Sequence, residues 1–177
     1  MEILEEILPG CFLIKPFQFE DCRGLFVKTY HAKQFSSLGI NFNIEEEFYS
    51  VSHKNILRGM HFQTPPDDLD KLVYCIGGKI TDVVLDLRPR RSYGKYSSIE
   101  LSSENNLMLF IPKGIAHGFI ARTNNAIVSY KTSAVHKSTS DFGIRWDSFG
   151  YDWGIDEPII STRDSEFPDF KKFNSPF

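Results

Sequence analysis

The sequence predicts one all-β domain, an antiparallel sandwich or barrel, and three observations carry that prediction. Short β-rich runs recur at regular spacing, turn clusters of Gly, Pro, Asn and Ser separate them, and hardly any stretch has a helical period. The 177 residues are 41% hydrophobic with 16 Phe, enough apolar material for one core. No repeat, low-complexity segment or Gly/Ser linker divides the chain, so residues 1–177 read as a single domain.

Along the chain, Ala32 to Leu38 reads as a short peripheral helix. From Val73 to Arg88 two β-rich runs are broken by Gly77-Gly78, which is a hairpin signal. In the second run Val83, Leu85 and Leu87 share one face, while Asp82, Val84, Asp86 and Arg88 share the other. One apolar and one charged face suit a barrel whose interior holds a polar ligand site. Further strands are expected at Ser97 to Leu101, Leu107 to Ile111, Phe119 to Arg122 and Ala126 to Thr132. The last stretch, Phe167 to Phe177, carries four Phe without a period, and docking on the barrel or on a second subunit are both open.

The formal net charge of -3, with signs interspersed, leaves no basic stripe to neutralise a phosphate backbone, so nucleic acid is not an expected partner. The start of the chain, Met1-Glu2-Ile3-Leu4-Glu5-Glu6, is acidic where a secretory signal is basic. No apolar run approaches the roughly 18 residues that cross a bilayer. No membrane association and a cytoplasmic location are the expectations. Cys11, Cys22 and Cys75 have no CxxC spacing, which speaks against a disulfide framework or a thiolate zinc site.

The residues able to do chemistry cluster in motifs. Leu57-Arg58-Gly59-Met60-His61-Phe62-Gln63, followed by Lys71-Leu72-Val73, brings Arg58, His61, Gln63 and Lys71 close in sequence. Strict alternation points Arg58 and His61 to opposite faces, but Gly59 can host a bulge that returns both to one side. Ile111 to Phe119 sets His117 between small residues, Ser129-Tyr130-Lys131 puts a phenol in mid-strand, and Ile160 to Asp164 ends in a carboxylate able to orient a histidine. Each signal alone is weak, since a lone His or Tyr in a β domain is usually structural.

Together with Phe19-Glu20-Asp21-Cys22-Arg23-Gly24-Leu25-Phe26 and Asp82 to Arg88, these motifs resemble the dTDP-4-dehydrorhamnose 3,5-epimerase (RmlC-like) family, in order and spacing, from about residue 10 to residue 165. The resemblance implies a cupin-type double-stranded β-helix, or jelly roll, assembled as a homodimer without bound metal or cofactor. It implies epimerisation at C3, C5 or both of a nucleotide-activated 4-keto sugar, in making a cell-surface polysaccharide. By position, His61 corresponds to the general base, Asp164 to its dyad partner, Tyr130 to the general acid on the opposite face and Lys71 to the cation at the enolate oxygen. Arg23, Arg58 and His117 correspond to residues that bind the substrate and its diphosphate, and Asp141 to an acidic nucleotide-site residue; Gln63, beside His61, joins the binding set.

Three positions depart from the family pattern. Lys28 stands where a Glu is common, Glu46 to Phe48 replace a Gln and an Asn, and Val135-His136 replace an aromatic pair. In the family these lie near the nucleoside, so the expected carrier is GDP, with a 4-keto hexose or heptose, rather than dTDP. Three rival readings stay open: a metal-dependent cupin using His61 and His117, a 3,4-ketoisomerase, and a non-catalytic sugar-binding module.

Overall fold

The computed structural model describes residues 1–177, and the β-rich runs form strands throughout. They are β1 (Glu2–Leu8), β2 (Cys11–Lys15), β3 (Phe17–Asp21), β4 (Gly24–Lys28), β5 (Glu46–Ser52), β6 (Leu57–Gln63) and β7 (Lys71–Gly77). Then follow β8 (Lys79–Asp86), β9 (Tyr96–Ser102), β10 (Met108–Ile111), β11 (Ile115–Ala121), β12 (Ala126–Thr132) and β13 (Asp141–Gly143). Two short helices, α1 (Ala32–Ser37) and α2 (Thr162–Ser165), lie at the periphery.

Two antiparallel sheets face each other, in the orders β1-β2-β10-β7-β12-β5 and β13-β6-β11-β8-β9, while β3 and β4 pair only with each other. This is a jelly roll, the expected architecture. Val73, Val84, Leu109, Phe119 and Val128 fill the space between the sheets. Outside the first sheet, Phe35, Ile40 and Phe42 from the α1 region cover Leu72, Tyr74 and Met108. Outside the second, Trp153 with Ile160, Phe170, Phe173 and Phe177 covers Val83, Leu85 and Leu87. The last stretch therefore docks on the barrel, with the Phe173 and Phe177 rings set edge-on to Phe62 at 5.4 and 5.7 Å.

The alternation read in β8 holds, and its charged face turns inward: Asp82 is fully buried between the sheets. The hairpin expectation does not hold. Strands β7 and β8 belong to different sheets, and Gly77-Gly78 is the corner where the chain crosses between them. Gly78 has φ +70°, and a Cβ there would meet Thr123 Oγ1 at 2.3 Å, so the dipeptide is fixed by this corner rather than by a two-residue turn. The strand expected at Phe119 to Arg122 starts earlier, at Ile115, because all of β11 is buried and such a strand shows no alternation.

The bulge foreseen at Gly59 is present. Opposite β11, His61 pairs with His117 but Arg58 pairs with Phe119, so β6 spends one residue more than its partner. Gly59 has φ +138°, and a Cβ on it would lie 2.5 Å from Gly118 Cα. Gly118 is equally constrained, since its own Cβ would come within 2.8 Å of the Arg58 carbonyl oxygen. Gly59→Ala is therefore expected to lose about 3 kcal/mol of stability through clash and backbone strain together. The control is Gly39→Ala, at φ +78° with open space around the missing Cβ, which loses only about 1 kcal/mol. Urea midpoints at unchanged slope measure both.

Candidate active site

The inward faces of β5, β6, β7, β11 and β12 bound a pocket of about 280 Å³ between the two sheets. His61, Arg58 and His117 line it from the second sheet, Lys71, Tyr130 and Phe48 from the first. Glu46, His136, Asp141 and Arg163 also line it. Sheet register explains the grouping: His61 stands opposite His117, and Tyr130 opposite Val73, two residues from the Thr132–Lys71 pair on the same face.

Asp164 reaches the site from the far end of the chain. Ile56 and Ile159 form a parallel bridge, and Leu57 N donates to the Ile159 carbonyl at 2.9 Å, which pins the following segment to the start of β6. Ser161 caps α2 by accepting from Asp164 N at 3.1 Å. The Asp164 carboxylate is thereby set behind the bulge, where Oδ2 accepts from Gly59 N at 3.1 Å and Oδ1 lies 2.9 Å from His61 Nε2. Phe167 holds the imidazole from the side, with ring centroids 5.7 Å apart and planes at 79°.

Charge and burial set the protonation states. Burial lowers the pKa of His61 from its ordinary value, against the raising effect of Asp164, so the ring is held as a neutral base. Burial also brings Lys71 down to about 8, with Asp141 and Asp82 working against it, and its ammonium donates to the His61 carbonyl at 3.1 Å. Burial raises Tyr130, which keeps its proton. Its ring stacks on Phe48 at 4.8 Å and meets His117 edge-on at 6.0 Å. Burial would raise Asp164, but His61, Gly59 N–H and Arg163 outweigh it and leave the carboxyl at about 2. His117 Nε2 lies 2.7 Å from Asp82 Oδ2, a second imidazole–carboxylate pair deeper in the barrel.

Of the residues expected from sequence, His61, Lys71, Tyr130, Arg58, His117 and Asp141 meet at this pocket, with Asp164 behind His61. Gln63 also lines it, but its amide is consumed by the chain: Nε2 donates to the Asp67 and Val135 carbonyls, and Oε1 accepts from Lys137 N at 2.7 Å. Gln63 thus clamps the loops at the pocket's edge in this structure. Arg23 is not in the pocket either. It sits at the exposed tip of the β3–β4 hairpin, paired with Asp21 at 2.5 Å, because that hairpin joins neither main sheet. No three His, Cys, Asp or Glu side chains converge as a metal-holding group.

Arg163, in the sequence merely the neighbour of Asp164, also enters the site. Its guanidinium donates to Asp141 Oδ2 at 2.7 Å and to Asp164 Oδ1 at 3.1 Å, and reaches His61 Nε2 at 2.8 Å. The only signal for it was the ST-x-D run that caps α2, which places residue 163 beside the dyad.

The depressed Asp164 makes stability depend on pH. Its folded pKa lies below the ordinary 3.8, so the stabilisation is complete above that value and fades as pH falls towards about 2. Acid unfolding should therefore cost wild type about 2 kcal/mol over that window, and Asp164→Asn should flatten this part of the curve. Urea titrations at stepped pH read both.

Comparison with known proteins agrees with this geometry. The family model for dTDP-4-dehydrorhamnose 3,5-epimerase matches residues 5–172. The dTDP-4-dehydrorhamnose 3,5-epimerase of Methanothermobacter thermautotrophicus is 38% identical over 163 residues, covering 89% of this chain and 88% of the relative. The crystal structure of dTDP-4-dehydrorhamnose 3,5-epimerase from Bacillus anthracis, with TDP and PPi bound, superposes with a TM-score of 0.93 at 31% identity, over 95% of this chain and 98% of that one. That of dTDP-6-deoxy-D-glucose-3,5-epimerase from Legionella pneumophila, in complex with dTDP-4-keto-L-rhamnose, gives 0.92 at 29% identity, over 98% and 94%. These are cupin-type jelly rolls, and this chain has their architecture. The chain belongs to the dTDP-4-dehydrorhamnose 3,5-epimerase family of RmlC-like isomerases, and it is an epimerase of 4-keto sugars.

Proposed function

We propose that the chain inverts C3 and C5 of a nucleoside-diphosphate 4-keto-6-deoxyhexose, with His61 as base, Tyr130 as acid and Lys71 at the enolate oxygen. One observation carries the reading: imidazole and phenol reach a single pocket from facing sheets. A hydrogen next to a ketone is only weakly acidic, so its removal needs a placed base and a cation where negative charge develops. His61, neutral and backed by Asp164, takes the proton, and Lys71 stabilises the enolate. Tyr130 then protonates the opposite face of the same carbon, and inversion results because donor and acceptor stand on opposite walls. The phenolate left behind is eased by Arg58, whose positive charge favours the ionised form. Solvent returns the proton to Tyr130 and removes the one on His61. A repeat at the second carbon completes the reaction.

The carrier is read first as dTDP, since the relatives' names specify it. Arg58, Lys71 and Arg163 supply positive charge for a diphosphate. A GDP-linked hexose or heptose is the second reading, and Glu46 favours it. This carboxylate lines the pocket, held by His136 N–H at 2.7 Å, and guanine offers it two adjacent N–H donors where thymine offers one. The chain is further read as a cytoplasmic homodimer, which would cover Phe17, Phe19, Leu25 and Phe26, the apolar side chains exposed on the β3–β4 hairpin. If that hairpin lies over the partner's pocket, Arg23 regains its role as a substrate contact.

Proton NMR in deuterated water tests the reaction and carrier together. Deuterium should enter C3 and C5 with the 4-ketone regenerated. His61→Asn should lower exchange by about 10³-fold while nucleotide binding stays within a few-fold. Unchanged turnover in that variant, or a carbonyl moved to C3, would refute the assignment. Displacement of a labelled nucleotide by dTDP or GDP decides the carrier.

The pH profile of kcat/KM should be a bell. Activity rises as His61 loses its proton, below the ordinary imidazole value of 6.5, and falls as Lys71 loses its own at about 8. Lys71→Arg, which stays charged throughout, should remove the falling limb.

A further inference from the structure

His61 Nε2 has two neighbours that it cannot serve at once. Arg163 Nη2 lies 2.8 Å away and can only donate, so Nε2 must present a lone pair to it. Asp164 Oδ1 lies 2.9 Å away and can only accept, so Nε2 must carry a proton to bond it. Both contacts are at hydrogen-bond distance, and a neutral ring can make only one of them through Nε2. While Arg163 donates to Nε2, the neutral ring is the Nδ1–H tautomer: one nitrogen is protonated, the other is occupied by a cation, and neither is free to accept a proton from carbon.

We propose that Arg163 is a positioning residue that holds the base idle until the diphosphate of the substrate draws its guanidinium away. The inference rests on the reading of the pocket as a nucleoside-diphosphate site. Once Arg163 leaves, Nε2 takes the proton and donates it to Asp164, and the Nδ1 lone pair, which makes no hydrogen bond within the chain, becomes the base.

Three observations make the movement inexpensive. The side chain is 54% exposed where it meets the pocket, open to an anion. Its guanidinium lies over the Phe167 ring, 5.6 Å from the centroid, a surface across which it can slide while staying stacked. Each acceptor that it leaves has another partner: Asp141 faces His136 Nε2 at 3.3 Å, and Asp164 keeps Gly59 N–H at 3.1 Å. A phosphate oxygen pair matches the planar guanidinium fork better than a ring nitrogen and a shared carboxylate do. The consequence is chemical economy, since a 4-keto sugar without a carrier meets no competent base.

Long-range proton–nitrogen NMR of ¹⁵N-histidine protein, with the His61 signals assigned by His61→Asn, tests this directly. Free wild type should show the Nδ1–H tautomer, and saturating thymidine or guanosine diphosphate should convert it to Nε2–H. Arg163→Ala should show Nε2–H without ligand, and Arg163→Lys, which retains a donor, should stay mainly Nδ1–H. In kinetics, wild type should exchange the C3 hydrogen of a 4-keto sugar lacking a nucleotide on the order of tenfold faster when a free nucleoside diphosphate is added. Arg163→Ala should show the faster rate with no such response, together with a raised KM for the full substrate. Diphosphate binding without a tautomer change, or Nε2–H already present in free wild type, overturns the gate alone. Absence of diphosphate binding overturns the carrier reading and the gate with it.

Discussion

The arrangement of side chains in this pocket depends on the contact between Gly59 and Gly118. Two backbones pass so close that neither residue has room for a Cβ, and the extra residue that this leaves in β6 turns both Arg58 and His61 to the pocket. Without the bulge, the two-residue period of a strand would bury one of them in the outer layer against the C-terminal aromatics. The same bulge exposes the Gly59 amide to Asp164, so one irregularity both aims His61 and anchors Asp164.

Burial then sets the electrical character of the pocket. Lys71 lies low because it is desolvated, yet Asp141 and Asp82 keep it ionisable near neutrality. Tyr130 is held protonated by its burial. Asp164 stays ionised in the interior because Gly59 N–H and Arg163 donate to it and His61 lies beside it. A neutral imidazole, a protonated phenol and a lysine that titrates near neutrality therefore share about 280 Å³, whereas in water the lysine would be fixed as a cation.

The two sheets are covered on their outer faces by elements with quite different sequence signals. The α1 region announces itself by a short helical stretch, and the tail by phenylalanines without a period. Neither is part of the pocket, but Gly143 shows how far the covering reaches. It has no Cβ because Phe167 occupies that space, and Phe167 in turn braces His61 and carries Arg163. The peripheral layer thus fixes the orientation of His61.

By itself the sequence determined the all-β class, the polar face of β8 and the set of groups able to exchange a proton, and it permitted the bulge at Gly59. These are local matters, governed by alternation, glycine geometry and residue chemistry within a few positions. Strands β1 and β3 to β5 were barely legible, because their side chains are largely exposed and no buried face sets an alternation. Only the tertiary structure decided that Gly77-Gly78 is a corner between sheets, that Gln63 serves loops and that Arg163 bears on the base 102 residues away. Each of these depends on which distant backbone occupies the neighbouring space, and no spacing along one chain encodes that.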